Sequence, residues 1–307
     1  MWGDTPPEYL WYDGKMTPWN DANVHVSQGH IFAHSIFEGI RAYWNDEEER
    51  LYIFRLKEHL DRLYRSIKLM RMTSEFKIGQ VTSASSEVLT INGYKEDTYV
   101  FPTVFFDPMV YLNKMIGPTH MFIHTFPHAS KLDKPDGASA CISSWTRIND
   151  NILPARVKCW ANYRNSAIAW TDASLKGFDE TLLLNSRGKI CEAPGACVMM
   201  LQNGVVITPP VTADILESVT RATLIQIGRE VLGLEVVERE IDRTELYTAD
   251  EIFLCGTGAE VSPISSIDNY TVGAGGIGPV TEQFRRAYND IIRGIDTRYE
   301  EWRTVVE

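Results

Sequence analysis

The spacing of the apolar residues changes at Leu56, and this change limits the fold more than any other feature of the chain. Residues 8–55 alternate short apolar runs with turn signals, a pattern typical of strands. From residue 56 onward the apolar side chains recur every three or four residues, which predicts a helix over residues 56–71. A strand-rich opening followed by a long amphipathic helix indicates a mixed α/β fold.

The rest of the chain repeats this mixture. Helical spacing returns over residues 214–232, with Asp214 near the start, and again over residues 281–295. Further runs have the composition of strands and are bounded by turn signals. These runs cover residues 98–106, 120–126, 138–145, 180–185, 196–202 and 205–209.

The chain is long enough for two hydrophobic cores. Its 307 residues exceed what one core usually serves. The segment HASKLDKPDG at residues 128–137 is linker-like, because it combines proline, glycine and charged residues. We therefore predict a small N-terminal domain over residues 1–127, an interdomain loop over residues 128–138 and a larger domain over residues 139–307.

The charge balance limits the classes of partner. A formal net charge of −11 and a pI near 5.2 argue against a sequence-independent hold on nucleic acid or an anionic membrane, because phosphate contacts need clustered lysine and arginine. The five cysteines are scattered without CxxC pairs, which favours neither a disulfide framework nor a zinc site. We expect a soluble cytoplasmic protein whose partners are small molecules.

Two patterns suggest chemistry that their surroundings do not support. Residues 273–278 match the GxGxxG of dinucleotide-binding proteins, but too little chain follows them to complete a βαβ unit. His120, His124 and His128 recur every four residues, as metal ligands on a helix would. Pro127 and the alternation of MFIHTF favour a strand instead, so we predict no metal site.

Four separated segments carry candidate chemistry: EHLDRLYRS (58–66), ARVKCWANYRNS (155–166), GKICEAPG (188–195) and FLCGTGAEVSPI (253–264). Lys158 lies in the second segment among Val157, Cys159 and Trp160. Partial burial there would disfavour its ammonium form and help release a nucleophilic amine. Without the other segments, Lys158 could equally be interpreted as a lysine on an edge strand.

Together with FEGIRAY (37–43) and a Thr-Arg pair at 220–221, these segments resemble the branched-chain aminotransferase group of the class IV (fold type IV) pyridoxal 5′-phosphate (PLP) enzymes. The resemblance covers about Tyr12 to Tyr288. It implies a small N-terminal α/β domain, a larger β-barrel-like domain with helices, and a PLP-dependent transaminase. It also implies a homodimer, the assembly that relatives form.

The resemblance assigns the residues that hold the ring of PLP. It makes Lys158 the lysine that forms a Schiff base with PLP and then carries a proton as general acid and base. It places Tyr163 against the phenolic oxygen of PLP. It places Glu192 against the pyridine nitrogen, where a carboxylate keeps that nitrogen protonated and the ring an electron sink.

The cofactor's phosphate needs donors and positive potential, and the resemblance supplies both. It implies a phosphate site formed by Arg62, the backbone at Val219 and Thr220 where a helix begins, and Thr257. Without the resemblance, Arg62 would be read as an exposed helix arginine paired with Glu58.

The resemblance also implies a set of substrate-binding residues: Phe32, Phe37, Gly39, Tyr99, Phe101, Gly258 and Ala259. Two of these depart from the family pattern, because Phe101 replaces an arginine and Phe32 replaces a tyrosine. The loop around residues 128–132, which supplies another tyrosine in relatives, is shortened here. Cys197 stands in the place of an asparagine. The cofactor residues match the family while the substrate pocket is altered.

Several functions therefore remain open. We expect a transaminase that moves an amino group from a hydrophobic amino acid or amine to a 2-keto acid. An (R)-selective amine:pyruvate transaminase is the alternative within the same chemistry. A lyase resembling aminodeoxychorismate lyase would share Lys158 and Glu192, and a PLP-binding protein without catalysis would keep the cofactor but react with no amine.

Overall fold

The computed structural model describes residues 6–107, 116–132 and 137–307. They form two compact units. Unit 1 comprises Met1–Ala129, Val157–Ala161 and Ile291–Glu307, and unit 2 comprises Ser130–Arg156 and Asn162–Asp290. The division into residues 1–127, 128–138 and 139–307 stays a prediction, and residues 133–136 of that loop lie outside the described residues.

The described residues contain strands and helices throughout, so the chain has the mixed α/β fold that the apolar spacing indicates. The strands are β1 (Tyr9–Tyr12), β2 (Lys15–Pro18), β3 (Ile36–Phe37), β4 (Ile40–Asn45), β5 (Arg50–Phe54), β6 (Thr98–Phe106), β7 (Thr119–Pro127), β8 (Ala138–Thr146), β9 (Glu180–Leu184), β10 (Cys197–Gln202), β11 (Val205–Thr208), β12 (Val236–Glu238), β13 (Glu251–Gly256), β14 (Glu260–Ile267), β15 (Tyr270–Thr271) and β16 (Arg303–Val305). The α-helices are α1 (Leu56–Leu69), α2 (Ile78–Asn92), α3 (Trp160–Leu175), α4 (Val219–Gln226) and α5 (Pro279–Arg293). None of the described helices is long and apolar enough to cross a membrane.

Unit 1 is built on an antiparallel sheet with the strand order β16-β5-β4-β6-β7-β1-β2, and β3 pairs with β6. The helix predicted over residues 56–71 spans Leu56–Leu69. It buries Leu56, Leu60 and Leu63 in the core of this unit. Burial of each such side chain contributes about 1.5–3 kcal/mol, which fixes α1 in the unit.

Helix α2 is a helix that the sequence pattern did not predict. Its sequence, IGQVTSASSEVLTIN, is rich in serine and threonine, residues that compete with the backbone for hydrogen bonds and so weaken helix propensity. Here those hydroxyls donate back to the carbonyl four residues earlier, as Ser85 does to Val81 at 2.7 Å. Gly93 ends the helix in the left-handed region, at φ 65°.

Helix α3 was also missed, although it follows Lys158 by two residues. Its buried face is made of small and polar side chains, namely Asn162, Ser166, Ala169 and Ala173. These recur every three or four residues, as a helix face requires, but none is a large apolar residue. A search for large apolar residues therefore does not detect this helix.

Unit 2 contains the second sheet, with the order β12-β11-β10-β13-β14-β8-β9 and β15 on β14. The central pairs β10–β13 and β13–β14 are antiparallel, whereas β11–β12, β14–β8 and β8–β9 are parallel. Val198, Met200 and Leu254 lie in the buried core on this sheet. The central strands thus give unit 2 a rigid support for the residues at their ends.

The helix predicted over residues 214–232 begins later than expected. Asp214 adopts a left-handed backbone, with φ 62°, which a helix cannot include. Ser218 is the residue that precedes the helix, and its hydroxyl accepts the backbone N–H of Arg221 at 3.2 Å. The helix α4 therefore starts at Val219, and a π-helical turn over Ile227–Val231 follows it.

Burial of His124 makes unit 1 sensitive to acid. Its ring lies in β7 among the rings of Phe101, Phe122 and Phe126, at 5.0–5.7 Å between centroids. Burial lowers the pKa of His124 to about 3. The unfolded chain protonates the His124 ring near pH 6.5, and the folded chain does not. Keeping this ring neutral therefore gives its full stabilisation above pH 6.5, and the stabilisation is lost as the pH falls.

We therefore expect His124→Phe to reduce the loss of stability between pH 7 and pH 5 by about 2 kcal/mol. The measurement is the free energy of unfolding in urea at both pH values. His25→Phe, at an exposed position, is the matched control and should keep the pH dependence of the parent. An equal pH dependence in the parent and His124→Phe would contradict the burial argument.

Candidate active site

Lys158 is held against β3 by backbone hydrogen bonds. The N–H of Phe37 donates to the carbonyl of Lys158 at 2.9 Å, and the N–H of Trp160 donates to the carbonyl of Ser35 at 3.1 Å. Cys159 faces Ile36 in the same bridge and is buried in the core of unit 1. The backbone of Lys158 is thus attached to a sheet immediately before α3 begins. It does not have the solvent-facing edge-strand position that the sequence alone also allowed.

An aromatic stack lies beside the lysine. The ring of Phe37 stacks on Trp160 at 4.5 Å and on Phe101 at 4.8 Å between centroids. The Nζ atom of Lys158 lies 4.8 Å from the centroid of Phe37. Phe37 and Phe101, both predicted substrate residues, therefore form one apolar wall within reach of the lysine amine.

Gly39 and Tyr99 lie in direct contact. A Cβ atom at Gly39 would come within 2.5 Å of the Tyr99 hydroxyl and 2.7 Å of its ring. Tyr99 stacks on Phe126 at 5.3 Å, and its ring meets the ring of His128 edge-on at 5.4 Å. Only glycine lets the Tyr99 ring take this position.

Phe32 lies apart from that wall. Its ring is partly exposed and packs against Phe105 at 5.5 Å. It lines a cavity of about 480 Å³ together with Tyr12, Phe122 and His124. Its role in substrate binding stays a prediction.

A buried charge cluster fixes the FEG segment to helix α1. Nε and Nη2 of Arg62 each donate to Glu38 at 2.7 Å, and Nδ1 of His59 lies 2.8 Å from the same carboxylate. Burial alone would raise the pKa of Glu38, but the charge and hydrogen bonds of Arg62 and the hydrogen bond of His59 lower it to about 2. Burial lowers the pKa of His59 below its usual range.

Local helix spacing suggests a pair between Arg62 and Glu58, but the structure gives each of them another partner. Arg62 is buried on Glu38, whereas Glu58 pairs with Arg55 at 2.9 Å. Sequence reasoning missed Glu38 and His59 as members of the site. The available signal was a glutamate between apolar residues, which needs a buried cationic partner. The phosphate role of Arg62 stays a prediction.

In unit 2, Glu192 is buried with its carboxylate held on both oxygens. Nη2 of Arg147 lies 2.8 Å from Oε1, and the N–H of Leu216 donates to Oε2 at 3.1 Å. Sγ of Cys197 lies 3.9 Å from Oε2. A carboxylate fixed in this way is suited to hold a cationic ring N–H.

The predicted phosphate residues of unit 2 occupy an N-terminus and a hairpin loop. Val219 and Thr220 form the first turn of α4, where backbone N–H groups lack partners within the helix. Thr257, Gly258 and Ala259 form the loop between β13 and β14. This loop therefore lies at the end of the rigid central pair of unit 2.

The following residue, Glu260, anchors that loop. Its buried carboxylate accepts the hydroxyl of Ser130 at 2.9 Å and the N–H of Lys131 at 2.6 Å. Tyr163 lies in the first turns of α3 and is half-buried. Its contact with PLP stays a prediction.

The two patterns that were set aside have structural roles. Residues 273–278 form turns before α5, and a Cβ at Gly273 would come within 2.2 Å of the Asp250 carbonyl. His120 lies in β7 between Asp13, at 2.5 Å, and Asp107, at 2.9 Å. In the described ranges no group of three or more histidine, cysteine or acidic residues could hold a metal ion.

The donor set of each unit fits PLP chemistry. Unit 1 offers a half-buried lysine amine on a fixed backbone, and unit 2 offers a buried carboxylate and the N-terminus of a helix. A lysine amine, a carboxylate for a ring nitrogen and a phosphate cradle are the three parts that PLP requires.

Comparison with known proteins agrees with this donor set. The model of the amino-transferase class IV family matches residues 35–267. A probable branched-chain-amino-acid aminotransferase of Aquifex aeolicus is 39% identical over 301 residues, covering 97% of each chain. The branched-chain amino acid aminotransferase of Thermobaculum terrenum, solved in its PLP form, is 44% identical with a TM-score of 0.95, covering 98% of this chain and 99% of that one. The Thermoproteus uzoniensis branched-chain aminotransferase, solved with norvaline, is 35% identical with a TM-score of 0.92 and covers 98% and 100%.

These matches span nearly the whole chain, and the protein belongs to the class IV aminotransferase family. It is a PLP-dependent transaminase of fold type IV.

The contact between Gly39 and Tyr99 generates a prediction. Gly39→Ala should displace the Tyr99 ring and slow the half-reaction with the best amino donor by at least about tenfold, because small misplacements in an active site cost up to about a hundredfold. The measurement is the rate at which the donor bleaches the PLP absorbance. Gly79→Ala, with open space around the new Cβ, is the control and should react like the parent. An unchanged rate in Gly39→Ala would show that the Tyr99 position is irrelevant.

Proposed function

We propose that this transaminase takes its amino group from hydrophobic amino acids, with the branched-chain amino acids as the main class, and transfers it to a 2-keto acid. Small keto acids such as pyruvate should compare well with 2-oxoglutarate as acceptors. A homodimer remains a prediction of the resemblance, and a cytoplasmic location remains a prediction from the composition.

The aromatic wall beside Lys158 is the observation that carries this proposal. Phe101 is almost fully buried and stacks on Phe37, whose ring centroid lies 4.8 Å from Nζ of Lys158. An apolar side chain against such a wall gains about 25 cal/mol per Å² of surface removed from water. A carboxylate buried there without a partner would cost several kcal/mol.

Two buried arginines of unit 1, Arg41 and Arg62, already have partners within that unit. Arg41 is fully buried and donates to the carbonyls of His128 and Ala129, the latter at 3.2 Å. Arg62 is paired with Glu38. Neither arginine is therefore placed to take over the role of the family arginine that Phe101 replaces.

The names of the relatives support the same class of donor. All three relatives reported above are branched-chain aminotransferases by name, and the Thermoproteus uzoniensis enzyme was solved with norvaline, an apolar amino acid. Leucine, valine and isoleucine share that apolar character, which suits the wall of Phe37 and Phe101.

The proposal assigns a role to each cofactor residue. When bound, PLP supplies an electron sink, which takes up the electron pair that remains on Cα after the α-proton of the donor has left. Lys158 binds the cofactor covalently, and its Nζ, once free, moves the proton at Cα. Glu192 binds the ring nitrogen and Tyr163 the phenolic oxygen. The phosphate lies on a set made of Arg62, Val219, Thr220 and Thr257.

A second candidate donor follows from the same wall. An (R)-1-arylalkylamine carries no carboxylate, so it has no need of the missing arginine, and its aryl group would stack on Phe37 and Phe101. The two donor classes differ only in whether a carboxylate accompanies the apolar group.

The assignment of Lys158 is tested by borohydride reduction followed by peptide mapping. We expect the reduced cofactor on Lys158 and a loss of activity of at least about a hundredfold in Lys158→Ala, since general acid–base groups contribute that much or more. Lys176→Ala and Lys189→Ala are controls, because both lysines are paired with aspartates, Lys176 at an exposed position and Lys189 at a half-buried one. A label on Lys176 or Lys189 would overturn the assignment.

The donor preference is tested by the rates at which leucine, glutamate and (R)-1-phenylethylamine bleach the PLP absorbance. We expect leucine to react at least about tenfold faster than glutamate, equivalent to about 1.4 kcal/mol. Phe101→Arg should raise the glutamate rate, whereas Phe101→Leu, which adds no charge, should not. Glutamate reacting as fast as leucine in the parent would contradict the proposal, and a faster reaction with the amine would favour the second candidate.

A further inference from the structure

The carboxylate of Glu192 has three neighbours within unit 2, and they differ in strength. Arg147 presents a charged guanidinium at 2.8 Å, and Leu216 presents a backbone N–H at 3.1 Å. Cys197 presents a thiol at 3.9 Å. Arg147 adds a full positive charge to its hydrogen bond, the N–H of Leu216 is a neutral donor, and a thiol is a weak donor.

Arg147 is itself fixed in position. It directly follows β8, and its backbone N–H donates to the carbonyl of Leu184 at 2.8 Å. Its Nη1 lies 3.4 Å from the hydroxyl of Ser166 in α3. Both Arg147 and Glu192 are more than nine-tenths buried. The guanidinium therefore stands at a defined place between α3 and the carboxylate.

Because Arg147 and Glu192 are both buried, the loss of either one would affect the other. Removing one partner of a buried ion pair leaves an uncompensated charge in a low-dielectric site. Without Arg147, the Glu192 carboxylate would lose its charged partner and could turn toward another donor. Such a turn would spoil it as an acceptor for a protonated ring nitrogen.

Cys197 increases the dependence on Arg147. The family pattern has an asparagine at this position, and an amide N–H donates more strongly than a thiol. The thiol of Cys197 is 3.7 Å from the carbonyl of Leu216 as well as 3.9 Å from Glu192. Substitution of the amide by a thiol leaves the guanidinium as the strong side-chain donor to this carboxylate.

We infer that Arg147 is a positioning residue that holds Glu192 as the carboxylate acceptor for the pyridine nitrogen of PLP, and that Cys197 makes this chain depend on it. The inference rests on the proposed role of Glu192 and adds the residue that maintains it. Arg147 acts through Glu192 and does not touch the cofactor.

The test compares the affinity of the full-length apoprotein for PLP and for 1-deaza-PLP, in which carbon replaces the ring nitrogen. Both carry the same phosphate and phenolic oxygen, so their affinity ratio reports the contact at the nitrogen. The parent should prefer PLP by about tenfold or more, the value of a hydrogen bond to a charged group. Glu192→Gln and Arg147→Met should both lose most of this preference, and Arg147→Lys should recover part of it.

Arg239→Met is the matched control, because Arg239 forms a 2.6 Å ion pair with Glu245 in the same unit and contacts no proposed site residue. It should keep the preference of the parent. If Arg147→Met fails to fold by circular dichroism, Arg147→Lys carries the test, since it keeps the charge but not the planar fork. An unchanged ratio in the variant measured would overturn the inference.

A second measurement tests the part played by Cys197. In a Cys197→Asn background, Arg147→Met should reduce the preference for PLP about threefold less than in the parent, because the amide replaces part of the lost donor. An equal reduction in both backgrounds would overturn the role of Cys197.

The roles of Glu192 and Arg147 can be refuted separately. A parent protein that binds both cofactors equally would refute the role proposed for Glu192. A parent that prefers PLP, with Glu192→Gln losing the preference and Arg147→Met keeping it, would refute only the inference about Arg147.

Discussion

The short backbone bridge between β3 and the segment around Lys158 is the contact on which the first unit's chemistry depends. It consists of the hydrogen bonds from Phe37 to Lys158 and from Trp160 to Ser35. It fixes the lysine backbone beside the ring of Phe37. The residue that follows β3, Glu38, is anchored to α1 through Arg62. One five-residue segment, 35–39, thus connects the lysine, the apolar wall and the buried charge.

The sequence predicted those elements whose apolar residues are large. Helix α1 was found because leucine and isoleucine mark its buried face, and it ends within two residues of the predicted end. Helix α2 was missed because it is rich in serine and threonine, and helix α3 because asparagine, serine and alanine form its buried face. For α4, the aspartate expected near the helix start adopts φ 62°, and the true start depends on the hydroxyl of Ser218. The spacing of apolar residues does not reveal a backbone conformation of that kind.

The sequence also predicted only part of the site. The order of motifs identified Lys158 and Glu192 as candidates, but their polar neighbours are distant in sequence. Glu38 lies 24 residues before Arg62, and Arg147 precedes Glu192 by an entire helix and strand. Spacing along a helix suggests only local pairs, such as Glu58 with Arg62, and burial selects the distant partner instead. A carboxylate in the core takes whichever cation the fold brings there, because leaving it unpaired would cost several kcal/mol.

This commitment of buried charges supports our proposal that Phe101 takes the place of an arginine in the donor pocket while the residues proposed for the cofactor stay unchanged. Three buried arginines have defined acceptors: Arg62 has Glu38, Arg41 has two backbone carbonyls and Arg147 has Glu192. Phe101 carries no charge and stacks on other rings, so its substitution for an arginine leaves those pairs intact. Donor preference can therefore shift through one side chain of the wall. The cost appears only with a substrate whose carboxylate needed that arginine, since such a group would then be buried without a cation.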